Sequence, residues 1–545
     1  MKLIDSSGMV LSVVKDGLVR QIKWQTALFI FAGLALIVFF SGGQSPSAPS
    51  WLLKIEENNS KQLTRNVEKW STWTTLAAEW EIRHGFQDEE DEKNWAGRQK
   101  MRQLRSEGSL WWDEPAEQYF KSKLETSQFP TNCSEAHWIA HYDYVAGLLS
   151  SLHMFLLPLF LAMVRGHPLV PMSEPKHHPA FDGCGPNLAD RNMLCYFNVT
   201  KCNPVEDPAR LWQMLDGPMQ HDKQRTSWEE VLMEEDDFFA PGGFTVVKTW
   251  KRPVWETQVC VGSSSFSSFV EAYIYHKLSL WNSMGRHGKV GVVTGSASNT
   301  RRGSRTARKC SEKEQQDSQD WKLRRVDMVM VSLMSSWMLN QMPNYVKLVA
   351  DEIMSRYVDE LGRPLWKPPV LAIHIRQTDK SVEDPYFIEH GVYRPIEDYE
   401  VHMKQMEKDY GFQWPSIFLI SDSGTARESF VKLLNGNDST VAPAPAPQLQ
   451  QDGKRYFMYD WIEDDHLQEK FKDHTKVPKA LKHDMQVHFL ATIYILEKIA
   501  DHAIVTYSSN VGRFIGEIMA AKHRLAFADR QGPLVTSLDH PWYWA

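Results

Sequence analysis

Three short apolar runs, each ending in a burst of polar residues, constrain this chain more than any other feature. Leu371–Lys380 reads L-A-I-H-I-R-Q-T-D-K, Ser416–Ser423 reads S-I-F-L-I-S-D-S, and Ala503–Arg513 reads A-I-V-T-Y-S-S-N-V-G-R. Helical patterns at Pro395–Tyr410 and Val511–Lys522 accompany them, so the region reads as repeated βα units building a parallel sheet in an α/β fold. Open α/β sheets bind ligands in the crevice outside the carboxyl ends of the strands. His374, Arg376, Asp379, Lys380, Asp422, Ser508, Ser509 and Asn510 are therefore expected on one crevice.

Those residue types suit an anion. A guanidinium offers a planar fork of donors to a phosphate and stays charged at any working pH. The residues Ser508, Ser509 and Asn510 precede a helix, whose first backbone N–H groups attract anions. A local ion pair between Arg376 and Asp379 accounts for that segment equally well when it is taken alone.

The segments H-I-R-Q-T-D-K, Y-R-P-I-E-D-Y-E-V-H (Tyr393–His402), L-I-S-D-S, T-Y-S-S-N-V-G-R-F-I-G-E-I-M and S-L-D-H-P-W-Y-W occur in one order and spacing. In that arrangement the chain resembles the core α1,6-fucosyltransferases and the related rhizobial chitin-oligosaccharide fucosyltransferases. H-Y-D-Y-V-A-G-L-L-S-S-L-H (His141–His153) and S-S-W-M-L-N-Q-M-P-N-Y-V-K (Ser335–Lys347) are similar to family segments as well, so the resemblance spans most of Cys133–Ala545.

The resemblance implies two Rossmann-like lobes of the GT-B type, with GDP-fucose as donor and an inverting transfer to a glycan hydroxyl. The implied acceptor is GlcNAc of an N-glycan core, linked α1,6, and no metal or other cofactor is expected. By position, His374, Arg376, Asp379, Asp422, Ser508, Ser509 and Asn510 would hold the nucleotide diphosphate. Arg376 would stabilise the leaving group, and Lys380 with Glu383 or Asp384 would serve the acceptor proton.

This sequence departs from the family at Gln377, where a second arginine is usual, and at Ser423, where a second aspartate is usual. Thr492 or Ile493 stands where the family carries an aspartate near the guanine or ribose, and Asp484 lies about two helical turns earlier. Animal members continue into an SH3-like domain that follows S-L-D-H-P-W-Y-W, and its absence here leaves the acceptor open. Two alternatives follow: a transferase of the same fold using another nucleotide sugar or acceptor, and an inactive glycan-binding scaffold. Arg376, Lys380 and the neighbouring acids stand against the second.

Topology is read from the N-terminus. Thr26–Gly43 is an uncharged run of 18 residues, against roughly 20 needed to span a bilayer, with a range near 17 to 25. Lys2, Lys15, Arg20 and Lys23 precede it and Lys54 is the first cation after it, which orients the tail to the cytosol. A cleaved signal peptide is the rival, but the apolar run begins late and is long for one. The expected layout is a cytosolic tail at 1–24, a signal anchor at 25–43, a partly helical lumenal stem at 44–131, an N-terminal α/β lobe at 132–366 and a nucleotide-sugar-binding lobe at 367–545. The family adds a Golgi location and dimerisation through the stem, for which a plain solvated helix is the alternative.

The six cysteines lie beyond the span, as expected of an oxidising lumen, and allow 15 pairings. Sequons at Asn58, Asn132, Asn198 and Asn437 share that side. A chain of 545 residues, 42% hydrophobic, supports two or more lobes, and its net charge of −7 gives no reason to expect nucleic acid. Val145–Val164 is long enough to cross a membrane, yet Ser150, Ser151, His153 and Pro158, with Pro168 just beyond, favour a buried core helix. Gly291–Arg325 and Ala442–Gln448 read as exposed insertions.

Overall fold

The computed structural model describes residues 89–106, 108–142, 147–172, 181, 184, 192–202, 225–226, 244–248, 267–292, 320–359, 364–377, 385–435, 455–459, 479–526 and 534–539. The tail, the anchor run and most of the stem lie outside them, as do the cores of both insertions. The chain opens with α1 (Glu89–Ser106), β1 (Leu110–Trp112), α2 (Glu114–Gln128), β2 (Trp138–Tyr142), α3 (Leu148–Arg165) and β3 (Leu169–Met172). It continues through β4 (Arg225–Thr226), β5 (Phe244–Lys248), α4 (Ser267–His287), β6 (Val290–Val292), α5 (Asp320–Asn340) and α6 (Asn344–Ser355). The last third holds β7 (Val370–Ile375), α7 (Pro385–His390), α8 (Ile396–Tyr410), β8 (Ser416–Ser421), α9 (Gly424–Asn435) and β9 (Tyr456–Tyr459). It ends with α10 (Lys479–Ile499), β10 (His502–Val505), α11 (Asn510–His523), β11 (Leu525–Ala526) and β12 (Val535–Ser537).

Two parallel sheets result. The N-terminal sheet has the order β3-β2-β5-β4 and the C-terminal sheet the order β12-β10-β7-β8-β9. Every pairing within both is parallel, which is the α/β architecture with two Rossmann-like sheets. A small antiparallel sheet, β11-β1-β6, joins distant parts of the sequence.

Strand β7 shows why these runs are strands. All six of its residues are buried, and their period of two divides them between two faces. Val370 and Ala372 enter the large core shared with the N-terminal half, whereas Leu371, Ile373 and Ile375 pack with Tyr399 and Met403 of α8 and Phe430 of α9. Each such side chain contributes about 1.5–3 kcal/mol by leaving water. Helix α8 starts after Pro395 with Glu397 and Asp398 in its first turn and stops at Gly411, whose φ of 81° is the left-handed conformation that glycine adopts at no steric cost.

Helix α3 is long and apolar enough to cross a membrane, yet 78% of its apolar window is buried inside the protein. Leu156 and Phe160 are fully enclosed in the large core, so it is the core helix its serines and histidine indicate.

The stem expectation needs correction at its C-terminal end. Ala116, Phe120 and Leu124 repeat every four residues along one face of α2 and, with Trp112 of β1, sit in the large core, and Met101 of α1 packs with Phe412 and Trp414. Asp113 caps α2 by accepting from the Ala116 N–H at 3.1 Å, and β1 pairs with β11 over 400 residues away. From α1 onward this segment is part of the folded body. The boundary near 366 is likewise not a break in packing, because α5 and α6 lie against α11 and α10 and one core cluster includes both sheets.

Disulfides join Cys133 to Cys202 and Cys184 to Cys195; Cys260 and Cys310 lie outside the described residues. Closing the 69-residue separation restricts the unfolded chain by about 4 kcal/mol on the loop-entropy model. The sequon residues Asn132 and Asn198 are both exposed, while Asn58 and Asn437 fall outside the described residues.

Candidate functional site

Parallel register aligns the strand ends. Ile375 of β7 lies opposite Ser421 of β8, and Ile373 lies opposite Ile504 of β10. Neighbouring strands run about 4.8 Å apart, so Arg376, Asp422 and the turn after β10 emerge side by side at the carboxyl edge. Arg376 Nε meets Asp422 Oδ2 at 3.3 Å, with the carboxylate buried and about a fifth of the arginine side chain open to solvent. The other oxygen, Asp422 Oδ1, accepts from the Gln377 N–H at 2.8 Å. One acid thus fixes both the arginine and the backbone that leaves the strand. Its neighbour Ser423 accepts from the Ala426 N–H at 3.2 Å and so begins α9.

His374 is buried on the face of β7 beneath this pair. Burial above all, reinforced by the Arg376 charge and opposed by Asp422, lowers its pKa to about 4, so the imidazole is neutral at physiological pH. Among the described residues no group hydrogen-bonds its Nδ1. Gln377, which replaces a charge expected from the family pattern, instead donates its side-chain amide to the Arg394 carbonyl at 3.2 Å. That bond holds the Tyr393–Asp398 segment against the strand end, where the Arg394 guanidinium lies 4.7 Å from the Tyr386 ring centroid.

The turn after β10 is more heavily built than its sequence indicates. The backbone N–H groups of Tyr507 and Ser508 donate to Asp539 at 2.7 and 3.2 Å, and Ser537 donates to the same carboxylate at 2.9 Å. This turn does hold an anion, and the anion is a carboxylate delivered by the adjacent strand β12. Ser509 is buried and accepts from the Val511 N–H as the cap of α11. Gly512 is required here, because a Cβ at that position would lie 2.1 Å from the Thr506 carbonyl oxygen. Asn510 bonds to Ser150 of α3 and to Arg513.

Helix α3 carries the rest of that connection. His153 Nδ1 is 3.0 Å from Asn510 Oδ1 and its Nε2 is 3.0 Å from Glu517 Oε1, while Ser335 of α5 donates to Glu517 Oε2 at 2.7 Å. Three helices therefore meet at the turn. Because Asn510 Oδ1 accepts from Arg513, its amide orientation is set by the network, and both ring nitrogens of His153 face acceptors.

Of the residues expected at the site, His374, Arg376, Asp422, Ser508, Ser509 and Asn510 share one sheet edge. Asp379, Lys380, Glu383 and Asp384 lie outside the described residues. Thr492 and Ile493 are buried, and the Thr492 hydroxyl donates back to the His488 carbonyl at 2.9 Å. Asp484 lies roughly 12 Å further back along α10 at 1.5 Å per residue. Sequence reading missed Ser150, His153, Ser335, Glu517 and Asp539 as supports of the site. The only signal for them was their presence inside the segments that carry the family resemblance.

No protein-family model and no curated protein matches the chain. Among solved structures, a mutant of Arabidopsis thaliana FUT1 in complex with GDP is similar with a TM-score of 0.33 and 10% identity, over 81% of each chain. POFUT1 in complex with GDP is similar with a TM-score of 0.29 and 11% identity, over 74% of this chain and 98% of that one. POFUT1 in complex with GDP-fucose gives 0.29 and 11%, over 75% and 99%. At these scores the likeness carries no argument about activity.

Proposed function

We propose that this protein is an inverting glycosyltransferase that moves fucose from GDP-fucose to a glycan hydroxyl, with GlcNAc of an N-glycan core as the α1,6 acceptor. The observation that carries this reading is the Arg376–Asp422 pair at the carboxyl edge of a parallel sheet. The ordered motifs that resemble the core fucosyltransferases supply the choice of sugar. Arg376 stabilises the diphosphate as the sugar C1–O bond breaks and GDP departs with the electron pair. The acceptor oxygen forms the new bond to C1 from the opposite face, and its proton passes to a carboxylate of the Glu383–Asp384 pair, positioned near Lys380.

His374 supports the pocket floor as an uncharged group and adds no positive charge to that of Arg376. By the family resemblance Asp379 and Ser508, the latter half-buried, also serve the diphosphate. We further propose that the reaction needs no metal and that the protein is a single-pass type II Golgi membrane protein with the catalytic body in the lumen. The burial of Thr492 and Ile493 favours a second reading in which the base of the donor is not guanine.

Screening nucleotide sugars against the full-length protein, with and without EDTA, tests both readings. GDP-fucose turnover that survives EDTA is expected. Turnover with a uridine-based donor alone, or activity restored after EDTA by manganese, overturns the proposal.

A further inference from the structure

A cleft of about 800 Å³ lies among α1, the small antiparallel sheet and the end of α11. Lys522 lines it and donates to the carbonyls of Lys498 and Ala500 at 2.9 and 2.7 Å, immediately before β10. The cleft therefore sits at the amino edge of the C-terminal sheet, opposite Arg376. Helix α11 separates it from the Ser508–Asn510 turn by about 20 Å, at 1.5 Å per residue.

Its chemistry is unlike that of the crevice. Trp111 is the half-exposed residue of β1, between buried Leu110 and Trp112. A Cβ on Gly291 of the neighbouring strand would come within 3.0 Å of Trp111 Nε1, so the glycine leaves room for the indole. Gln99, Gln103, Asp113, Glu114 and Arg524 line the cleft with the tryptophan, a mixture of donors and acceptors.

The charges are already matched. Arg524 bonds Glu117 at 2.8 Å and lies 3.5 Å from Glu114, and Arg102 lies 3.7 Å from Asp501. Burial lowers the pKa of Lys522 to about 8 and pushes that of His523 well below its ordinary value. Among the described residues each lining cation already faces a carboxylate or a carbonyl, so the cleft is not built around a cation held out for a phosphate or sulfate. A ligand with one apolar face and many hydroxyls fits an indole ringed by balanced polar groups, since the ring contributes apolar contact while polar groups fix orientation.

We propose that this cleft is a second glycan-binding site, which takes a neutral oligosaccharide with a sugar face on Trp111 and hydroxyls shared among Gln99, Gln103, Asp113, Glu114 and Arg524. It deepens the glycosyltransferase reading and rests on it for the expectation of a glycan, by giving a long acceptor a foothold remote from the reacting hydroxyl.

The test is ligand-observed NMR on the full-length protein with triacetylchitotriose and, separately, maltotriose, at millimolar concentration, beside inorganic sulfate. Binding of at least one trisaccharide is expected, with affinity reduced roughly 10-fold or more in Trp111→Ala, as for a central aromatic anchor, and largely restored in Trp111→Phe. Gln103→Ala, at an exposed position of α1, should weaken it as well and guards against misfolding of the tryptophan variant. Trisaccharide binding indifferent to both variants, a response to sulfate alone, or no trisaccharide binding at all overturns the proposal. Arg376→Ala should leave the tryptophan-dependent binding intact. Loss of sugar transfer in every donor screen with this binding retained would sink the transferase reading alone, and transfer without it would sink the cleft alone.

Discussion

The C-terminal sheet carries an arginine–aspartate pair at each edge, and the two pairs do opposite things. At the amino edge Asp501 is buried, accepts from Arg98 Nε at 2.7 Å, and accepts from the Val370 N–H at 2.9 Å. It joins α1, β7 and the approach to β10 in one clamp. At the carboxyl edge Asp422 is equally buried, yet it meets Arg376 at a looser 3.3 Å and leaves that guanidinium reaching into the crevice. The same two residue types are joined by a close hydrogen bond at one edge and by a longer ion pair at the other. The first pair should matter to stability and the second to turnover.

The largest effect is expected beside the second pair. Removing a general base costs about 100- to 10,000-fold in rate, so Asp384→Asn or Glu383→Gln should lower turnover on that scale while leaving GDP affinity nearly unchanged. Steady-state kinetics and calorimetry on both variants assign the role. If neither loses turnover, the base lies outside this segment.

Next comes Arg376→Ala, for which the loss of one electrostatic donor corresponds to roughly 100- to 1,000-fold in rate. Its unfolding midpoint should fall as well, because the buried Asp422 carboxylate loses the charge that faces it, so turnover is compared per folded molecule. Arg376→Lys should recover little, since an ammonium cannot reproduce a planar fork. Near-normal turnover in the alanine variant would erase the distinction between the two edges.

Asp501→Ala is the mirror experiment. Removing one partner of a buried pair costs about 3–5 kcal/mol because the other charge is left buried, and denaturant unfolding should register that loss. Activity per folded molecule should change little. A variant that unfolds like the wild type but fails to turn over would place Asp501 in the functional site instead.

How far these roles were legible in sequence depended on range. Strands β7, β8 and β10 could be read because their apolar runs are local, and Arg376 and Asp422 followed from where those runs stop. The stripe Ala116, Phe120, Leu124 was equally local, but the surrounding charges of α1 and α2 disguised a core-facing helix as a stem. Asp501 and Asp539 were not legible, since each acts on backbone N–H groups that register alone brings near. His153 posed the same difficulty, as its partners Asn510 and Glu517 are more than 350 residues away.

His374 offers the smallest and subtlest effect at the carboxyl edge, because it is buried beneath Arg376. Its folded pKa of about 4 lies below the ordinary 6.5, with burial the main cause and Arg376 the second. Between those values the unfolded chain binds the extra proton, so stability is complete above pH 6.5 and declines as pH falls toward 4. At 1.36 kcal/mol per pKa unit the decline reaches at most about 3 kcal/mol. Chemical unfolding of the wild type and of His374→Gln across pH 4 to 7 measures it, and the variant should lose less stability on acidification. Arg376→Ala should also soften the decline, because the second cause of the shift disappears while burial remains. Parallel stability curves for the wild type and His374→Gln would mean that the imidazole takes up its proton as readily in the fold as in the open chain, and that the carboxyl edge tolerates a second positive charge beside Arg376.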